Sequence, residues 1–540
     1  MLIILIVGLL RARLLSMPLE RDEGEYAYTG QLLLHGVAPF KLAYTMKLPG
    51  TTVAYALIMA LFGQSPTGIH LGLLLVNAMT IVLVFLLGRK LLGNYGGVTA
   101  CATYAVMSLS YSVLGLAAHA THFVVLFALA GVLACLRAIE SGRLADFFLS
   151  GLLLGLAFLM KQPGMFFSLF GAVLIVWFEI KTLKELTQSR QLGTRQPRFN
   201  WERCGRRLMT FAAGVILPFA LTCLLLWWAG VFQRFWFWTF TYVQSYGTST
   251  SGSAGFKYLL DHFQVNSGAD VLLWVLAGAG LLVMVFERKP GDRKPILLTL
   301  LAVSLISVCP GLYFRDHYFV LALPAISLFV GYALTFLLKL IAKAGFPPIS
   351  KAIPAAILFL ICLVVLFEQR QQNILFKETP IAASRDICGK ENPFAESPEI
   401  ARYIQEHTTK NDRIAVLGSE PQICFYAKRR SVTGYIYTYG LVELNAPAEK
   451  MQQEMIHEIE TGKPEILVFV ELPLSWLSTK ESEEGIFNWV EKYAKDFYDL
   501  AGVINFLPSG ESESHWGADA EKFQLGQDDT IYILKKKPGH

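Results

Sequence analysis

The sequence predicts a polytopic α-helical membrane protein that ends in a soluble α/β region, and three observations lead there. Of its 540 residues 54% are hydrophobic and only 16% charged, too greasy a composition for burial away from water to organise most of the chain. Apolar runs near the ~20 residues that cross a bilayer core recur from the N-terminus to about Phe367 and then stop. Charge changes at the same place: residues 368–540 hold 19 Lys and Arg against 28 Asp and Glu, a net of −9, which leaves +14 for the first 367. The expected division is a transmembrane region, 1–367, followed by an extracytoplasmic soluble α/β domain, 368–540.

The first apolar run, 2–19, is interrupted by Arg11 and Arg13 and lacks the basic leader and small-residue cleavage site of a secretory signal. It is followed by "ERDEGEYAY", residues 20–28, with five charges in six positions. A helix starting near Arg21 would put Asp22, Glu25 and Tyr26 on one face at i, i+3 and i+4, with Glu23 on an adjacent one. Acids at a helix N-terminus are also favoured by the dipole alone. The segment "TTVAYALIMALFG", 51–63, is short for a crossing and flanked by Pro49 and Pro66, so it is expected to lie along the interface or re-enter. Further spans are expected at 69–92, 96–116, 120–137, 145–160, 164–180, 208–230, 271–286, 296–311, 318–338 and 352–367, about eleven crossings in all.

Loop charges orient these spans. Arg89 and Lys90, Arg137 and Arg143, eight basic residues over 181–207, the run 288–294 and Lys339 to Lys351 all fall on one side, which should be cytoplasmic together with the N-terminus. The alternate loops and the acidic C-terminal region then face outward. Within that region "DRIAVLG", "EILVFVE" and "TIYILKK" read as strands, "SPEIARYIQEHT" as a helix capped by Ser397, and "FNWVEKYAKDFYDLAG" as an amphipathic helix closing on Gly502. It carries no phosphate loop, metal-ligand spacing or nucleophile motif. The eight cysteines show no CxxC spacing; Cys388 and Cys424 are the two in the soluble region and could pair if that region lies outside the cytosol.

The chemistry gathers on the outer face. Lys47 in "MKLPGTT", His119 and His122 in "AAHATHF", Lys161 in "LMKQPG", and Arg315, Asp316 and His317 in "YFRDHYF" all sit at span boundaries, where ionisable groups are costly without partners or a task. Singly each has a plain reading, such as a lysine snorkelling to headgroups. Together with the acids of 20–25 they make a pocket with carboxylates on one side and cations on the other. Sugar transfer from a lipid phosphate wants that combination: a carboxylate takes a proton from the acceptor hydroxyl, while Lys, Arg or a divalent metal neutralises the leaving phosphate.

"RDEGEYAYTGQLLLHG" followed by "KLPGTTVAYALIMALFG" resembles the start of the protein O-mannosyltransferase and lipid A aminoarabinose transferase superfamily, glycosyltransferase family 39 and its bacterial relatives of GT-C fold. The similarity runs over roughly 1–340 and is strongest over 20–92. It implies Asp22 as the catalytic base, Glu23 as the second acid of the pair, and Lys47 as a contact to the donor's phosphate, with Arg315 and His317 in a late segment over the donor. Glu25, Tyr26, His119, His122 and Lys161 are carried as possible substrate or metal contacts. Two departures stand out: Leu48 occupies the place of a usual first proline, and the histidines of "AAHATHF" stand where an acid is common, so a metal such as Mg²⁺ or Mn²⁺ could be held by them.

The implied function is transfer, with inversion, from a polyprenyl-phosphate sugar donor to a glycan, lipid or protein acceptor at the outer face of a bacterial inner membrane. Membrane lipids and no nucleic acid are the other expected partners. The aromatic run "FQRFWFWTFTYVQSYG", 232–247, is the candidate lid or acceptor groove, with an ordinary aromatic belt as its plain reading. A transporter or flippase of a lipid-linked or anionic solute is the alternative, but it predicts charges at mid-membrane and broken helices, whereas the informative charges here cluster at one face.

Overall fold

The computed structural model describes all residues except 189–198, 249, 264–267, 269, 288–290, 444–446, 528 and 540. Of the charges that orient the spans, Arg190, Arg195, Arg198, Arg288 and Lys289 therefore lie outside the described residues, as does part of the outer loop 231–270.

The chain is mostly helical up to Leu366. Helix α1 (Leu2–Ala12) is followed by α2 (Arg21–Leu34), α3 (Pro49–Phe62), α4 (Pro66–Met107), α5 (Ala120–Ser141), α6 (Leu144–Met160), α7 (Met165–Gln188) and α8 (Trp201–Trp228). Shorter helices lie over 232–248 and Gly252–Asp261, and the long apolar ones Val271–Phe286, Arg293–Val308, Leu323–Lys343 and Ile353–Leu366 complete the helical part. Among the described residues six helices are long and apolar enough to cross a membrane: Pro66–Met107, Ala120–Ser141, Gln162–Glu185, Trp201–Trp228, Leu323–Lys343 and Ile349–Leu366.

Local chemistry explains where the expected boundaries move. The first helix stops at Ala12 rather than at residue 19, because its arginines are put to use: Arg11 donates to the carbonyl of Ser108 at 2.6 Å and Arg13 to that of Leu375. The 42-residue α4 is two helices joined at Gly93, whose φ of 87° and ψ of 178° break the helix. A Cβ at Gly88 would come within 2.9 Å of Gly97 Cα, so the two halves fold back on one another. Helix α3 buries Thr51, Thr52, Tyr55 and Met59 and exposes Val53, Leu57 and Leu61, an apolar outer stripe suited to lying in the headgroup boundary.

The C-terminal region holds a six-stranded mixed sheet: β1 (Arg413–Leu417), β2 (Arg430–Ser431), β3 (Ile466–Glu471), β4 (Tyr498–Phe506), β5 (Ser512–Trp516) and β6 (Thr530–Lys536), in the order β2-β1-β3-β6-β4-β5. β1 runs parallel to β3 with Ile414 beside Ile466, and β3 antiparallel to β6 with Val468 opposite Ile533. The near-continuous apolar run of β3 suits a central strand buried on both faces. Two boundaries differ from expectation. Ser397 lies inside its helix, donating to Pro393 at 2.6 Å, with Glu396 at the cap. The helix expected to close on Gly502 ends at Phe497, because the residues after it pair with β6. Cys388 and Cys424 are both free.

Helix α2 joins the two regions. Gly24 sits against the helix Pro421–Ala427, where a Cβ would meet Gln422 Cβ at 2.7 Å. Arg21 reaches the same segment, donating to Ser419 O at 2.7 Å and pairing with Glu420 at 2.5 Å.

Candidate active site

Between α2 and the C-terminal region lies a cavity of about 260 Å³, walled by Glu20, Asp22, Glu25, Lys47, His119, Arg315, His317, Tyr437 and Tyr439 among others. Its floor is the first turn of α2. Glu20 and Glu23 form a reciprocal capping box, each carboxylate accepting from the other's backbone N–H. That fixes the start of the helix and sends alternate acids to opposite sides.

Asp22 is the hub. Its Oδ1 accepts from Lys47 Nζ at 3.2 Å and from the Tyr437 hydroxyl at 2.7 Å. Its Oδ2 lies 3.8 Å from His119 Nδ1 and 3.8 Å from His317 Nε2, and the two imidazole rings stack at 4.0 Å. Burial alone would raise the Asp22 carboxyl, but Lys47, His119 and Lys161 outweigh it and hold it well below the carboxylate range. Glu25 has the opposite fate: burial pushes it up to about 7. One of its oxygens accepts from Thr45, and the other is buried without a partner.

The cations divide in the same way. Lys47 is held charged, its burial outweighed by Asp22. Lys161 stands 3.3 Å from His317 Nε2 and 4.1 Å from the Tyr318 ring centroid, and burial, reinforced by Lys47, lowers it to about 7. Burial also lowers His119 to about 4 and His317 well below its ordinary value, so both rings are neutral at pH 7.

The expected site residues therefore separate. Asp22, Glu25, Lys47, His119, Arg315 and His317 meet at the cavity, with Lys161 behind His317. Glu23 turns into the protein, where it accepts from the Ala118 amide at 2.6 Å and faces His70 Nε2 at 3.0 Å. Tyr26 packs edge-on against Tyr55 at 5.3 Å with its hydroxyl buried and unpartnered. His122 is buried along α5 with neither ring nitrogen bonded. Sequence reasoning missed Tyr437 and Tyr439, whose only signal was the tyrosine alternation of "TGYIYTYG". From the run 232–247, Trp238 and Tyr242 reach the wall, Trp238 stacking on Tyr44 at 5.8 Å.

One ligand atom each from Asp22, His119 and His317 lies within 4.8 Å of the others, so these three could hold a metal ion. Both His119 nitrogens are buried without a hydrogen-bond partner, which fits a ligand. Lys161 beside His317 is the competing cation. His122 is not part of the group.

Known proteins bear on this arrangement in two ways. Residues 47–189 match the family model described as dolichyl-phosphate-mannose-protein mannosyltransferase. The whole chain also superposes on solved structures. Against ArnT from Cupriavidus metallidurans bound to undecaprenyl phosphate it has 13% identity and a TM-score of 0.57, covering 100% of this chain and 97% of that one. Against the Archaeoglobus fulgidus oligosaccharyltransferase tethered to an acceptor peptide the values are 13% and 0.51, covering 99% and 75%. Against AglB from the same organism, in complex with an inhibitory peptide and a dolichol-phosphate, they are 12% and 0.50, covering 99% and 76%. No curated protein matches by sequence. The chain thus shares its fold with ArnT and with the Archaeoglobus fulgidus oligosaccharyltransferase. Over residues 47–189 it is also similar in sequence to the protein mannosyltransferases.

Proposed function

We propose that the protein transfers a sugar from a polyprenyl-phosphate donor to an acceptor hydroxyl at the outer membrane surface, with inversion and with Asp22 as the base. The observation that carries this is one carboxylate, Asp22, placed between a charged lysine and two neutral imidazoles in a cavity that Lys47 enters from just ahead of α3. Lys47 and Arg315 would neutralise the phosphate as the sugar departs. Lys47 also weakens Asp22 as a base while the two are paired. A donor phosphate that engages Lys47 shifts this charge away and raises the basicity of Asp22 when an acceptor proton must be taken. Single displacement by an acceptor on the face opposite the phosphate gives inversion.

Glu25 supports a second assignment for the base, since its carboxyl near 7 and its unpartnered oxygen suit proton transfer at neutral pH. Glu23 acts as a positioning residue, because its bond to Ala118 N sets the loop that carries His119. A divalent cation held by Asp22, His119 and His317 would supply further neutralisation of the leaving phosphate; Mn²⁺ suits the two imidazoles better than Mg²⁺.

In this reading eleven crossings result when the N-terminal run 2–19, the two halves of α4 and the shorter apolar helices Leu144–Met160, Val271–Phe286 and Arg293–Val308 are counted with the five other long ones. The N-terminus is then cytoplasmic, and residues 368–540 form an extracytoplasmic domain on a bacterial inner membrane. The family match and the fold favour transfer over transport. The test is turnover of a panel of polyprenyl-phosphate sugars by the purified protein in lipid, wild type against Asp22→Asn at matched folding. Donor binding retained with transfer lost by roughly 10²–10⁴-fold supports the assignment. No binding or consumption of any lipid-linked sugar by either protein sinks it.

A further inference from the structure

A second cavity, of about 740 Å³, opens at the other end of α2, between Gln31 on that helix, His35 just past its end, Gln64 just beyond α3, and the segments 405–413 and 428–430. It is strongly cationic. Lys410, Arg413, Lys428 and Arg430 line it, and among the described residues no carboxylate pairs with any of the four. Arg429 is different: its guanidinium is consumed by Thr408 and by the carbonyls of Gln405 and Ala427, so it braces the wall. The single acid on the rim, Asp412, is turned back to the Thr409 amide at 2.7 Å. This lies in a region whose net charge is −9, so the cluster runs against its surroundings.

Two features make the arrangement costly unless something offsets it. Arg413 and Arg430 are direct cross-strand neighbours in the parallel pairing of β1 with β2, and like charges so placed are destabilising. Lys428 adopts the left-handed conformation at φ 53°, where glycine or asparagine is the easy choice. An anion held between the strands would relieve the first cost and give the second a purpose.

The rim identifies the anion. Leu34, Leu61 and Phe62 are exposed immediately before His35 and Gln64, so apolar surface passes directly into the cationic mouth at the level where α3 presents its apolar stripe. From these observations we infer that this cavity binds the phosphate of an anionic lipid headgroup in the outer leaflet, with the acyl chains against Leu61 and Phe62. It is separate from the Asp22 cavity. The rise of α2 from Asp22 to His35 is about 20 Å, so the site anchors and orients the C-terminal region and takes no part in the transfer chemistry.

The experiment uses the full-length protein in a neutral detergent, with dioctanoyl phosphatidylglycerol, dioctanoyl phosphatidylcholine or inorganic phosphate as probe and the unfolding midpoint as readout. Phosphatidylglycerol should raise the midpoint saturably and phosphatidylcholine should not. An Arg413→Gln/Arg430→Gln double variant should bind phosphatidylglycerol about tenfold or more weakly. Lys428→Gly guards against misfolding as an explanation, since it removes a cation while relieving the left-handed strain; it too should lose part of the shift. An equal shift with inorganic phosphate alone assigns the site to free phosphate and overturns the lipid reading. No shift with either anion, or identical shifts in wild type and variants, overturns the site.

Discussion

At the scale of residues, the cavity separates groups that share a chemistry. Asp22 and Glu25 are one turn apart on α2, yet one is held ionised by Lys47, His119 and Lys161 while burial raises the other to about 7. Opposed environments of this kind divide acid and base roles between like side chains. The pH dependence follows by sign. If Glu25 must be ionised to act, kcat/KM rises through pH ~7, and the rising limb disappears in Glu25→Gln. If Lys161 must be charged, kcat/KM falls through the same region, and the falling limb disappears in Lys161→Met. With Asp22 as sole base and Lys161 only structural, the wild-type profile is flat there. Chelation with EDTA is expected to lower activity, with Mn²⁺ restoring it, and His119→Ala should no longer respond to either.

Elements explain why those residues stand where they do. The acids of "ERDEGEYAY" announce α2 in the sequence because capping and the helix dipole act within one turn, and Asp22 and Glu25, three residues apart, both reach the cavity while Tyr26 packs on Tyr55 instead. The end of α1 was not legible, since Arg11 donates to Ser108, ninety-seven residues away. Nor was the switch from helix to strand at Tyr498, where pairing with β6 overrides an amphipathic pattern. Gly24 is the element-level test. Gly24→Val puts a branched side chain where even a Cβ meets Gln422 at 2.7 Å, so it should separate α2 from the helix Pro421–Ala427. The expected cost is about 1–3 kcal/mol, read as a lowered unfolding midpoint, with weaker donor turnover because Asp22 and Tyr437 part.

For the whole molecule, the membrane half of the site could be read from sequence, and the half built by the last third of the chain could not. Composition and the outer-face charges pointed to Asp22, Lys47, His119 and His317. The Tyr437 hydroxyl reaches Asp22 across 415 residues, and no local pattern encodes that contact. Tyr437→Phe keeps the ring and removes one hydrogen bond to a carboxylate, a contact of about 1.5–3 kcal/mol. Its kcat should fall even at temperatures well below the modestly lowered unfolding midpoint; an unaffected kcat would make Tyr437 a bystander. The C-terminal region thus forms a wall of the Asp22 cavity, and its hydrophobic core is continuous with that of the helices.

The contact between Tyr437 and Asp22 also sets an order of events at birth. Helices α1 to α8 and the spans after them leave the ribosome with every membrane-side group of the chamber already made. Tyr437 and the sheet behind it come last, within a stretch of chain that takes roughly 10–35 s to synthesise. Throughout that interval the nascent protein has a carboxylate and a lysine at the bilayer surface but no wall to close over them. On the proposed function, turnover begins only once Tyr437 and the sheet have docked, and a chain truncated before them would insert in the membrane without an enclosed cavity around Asp22.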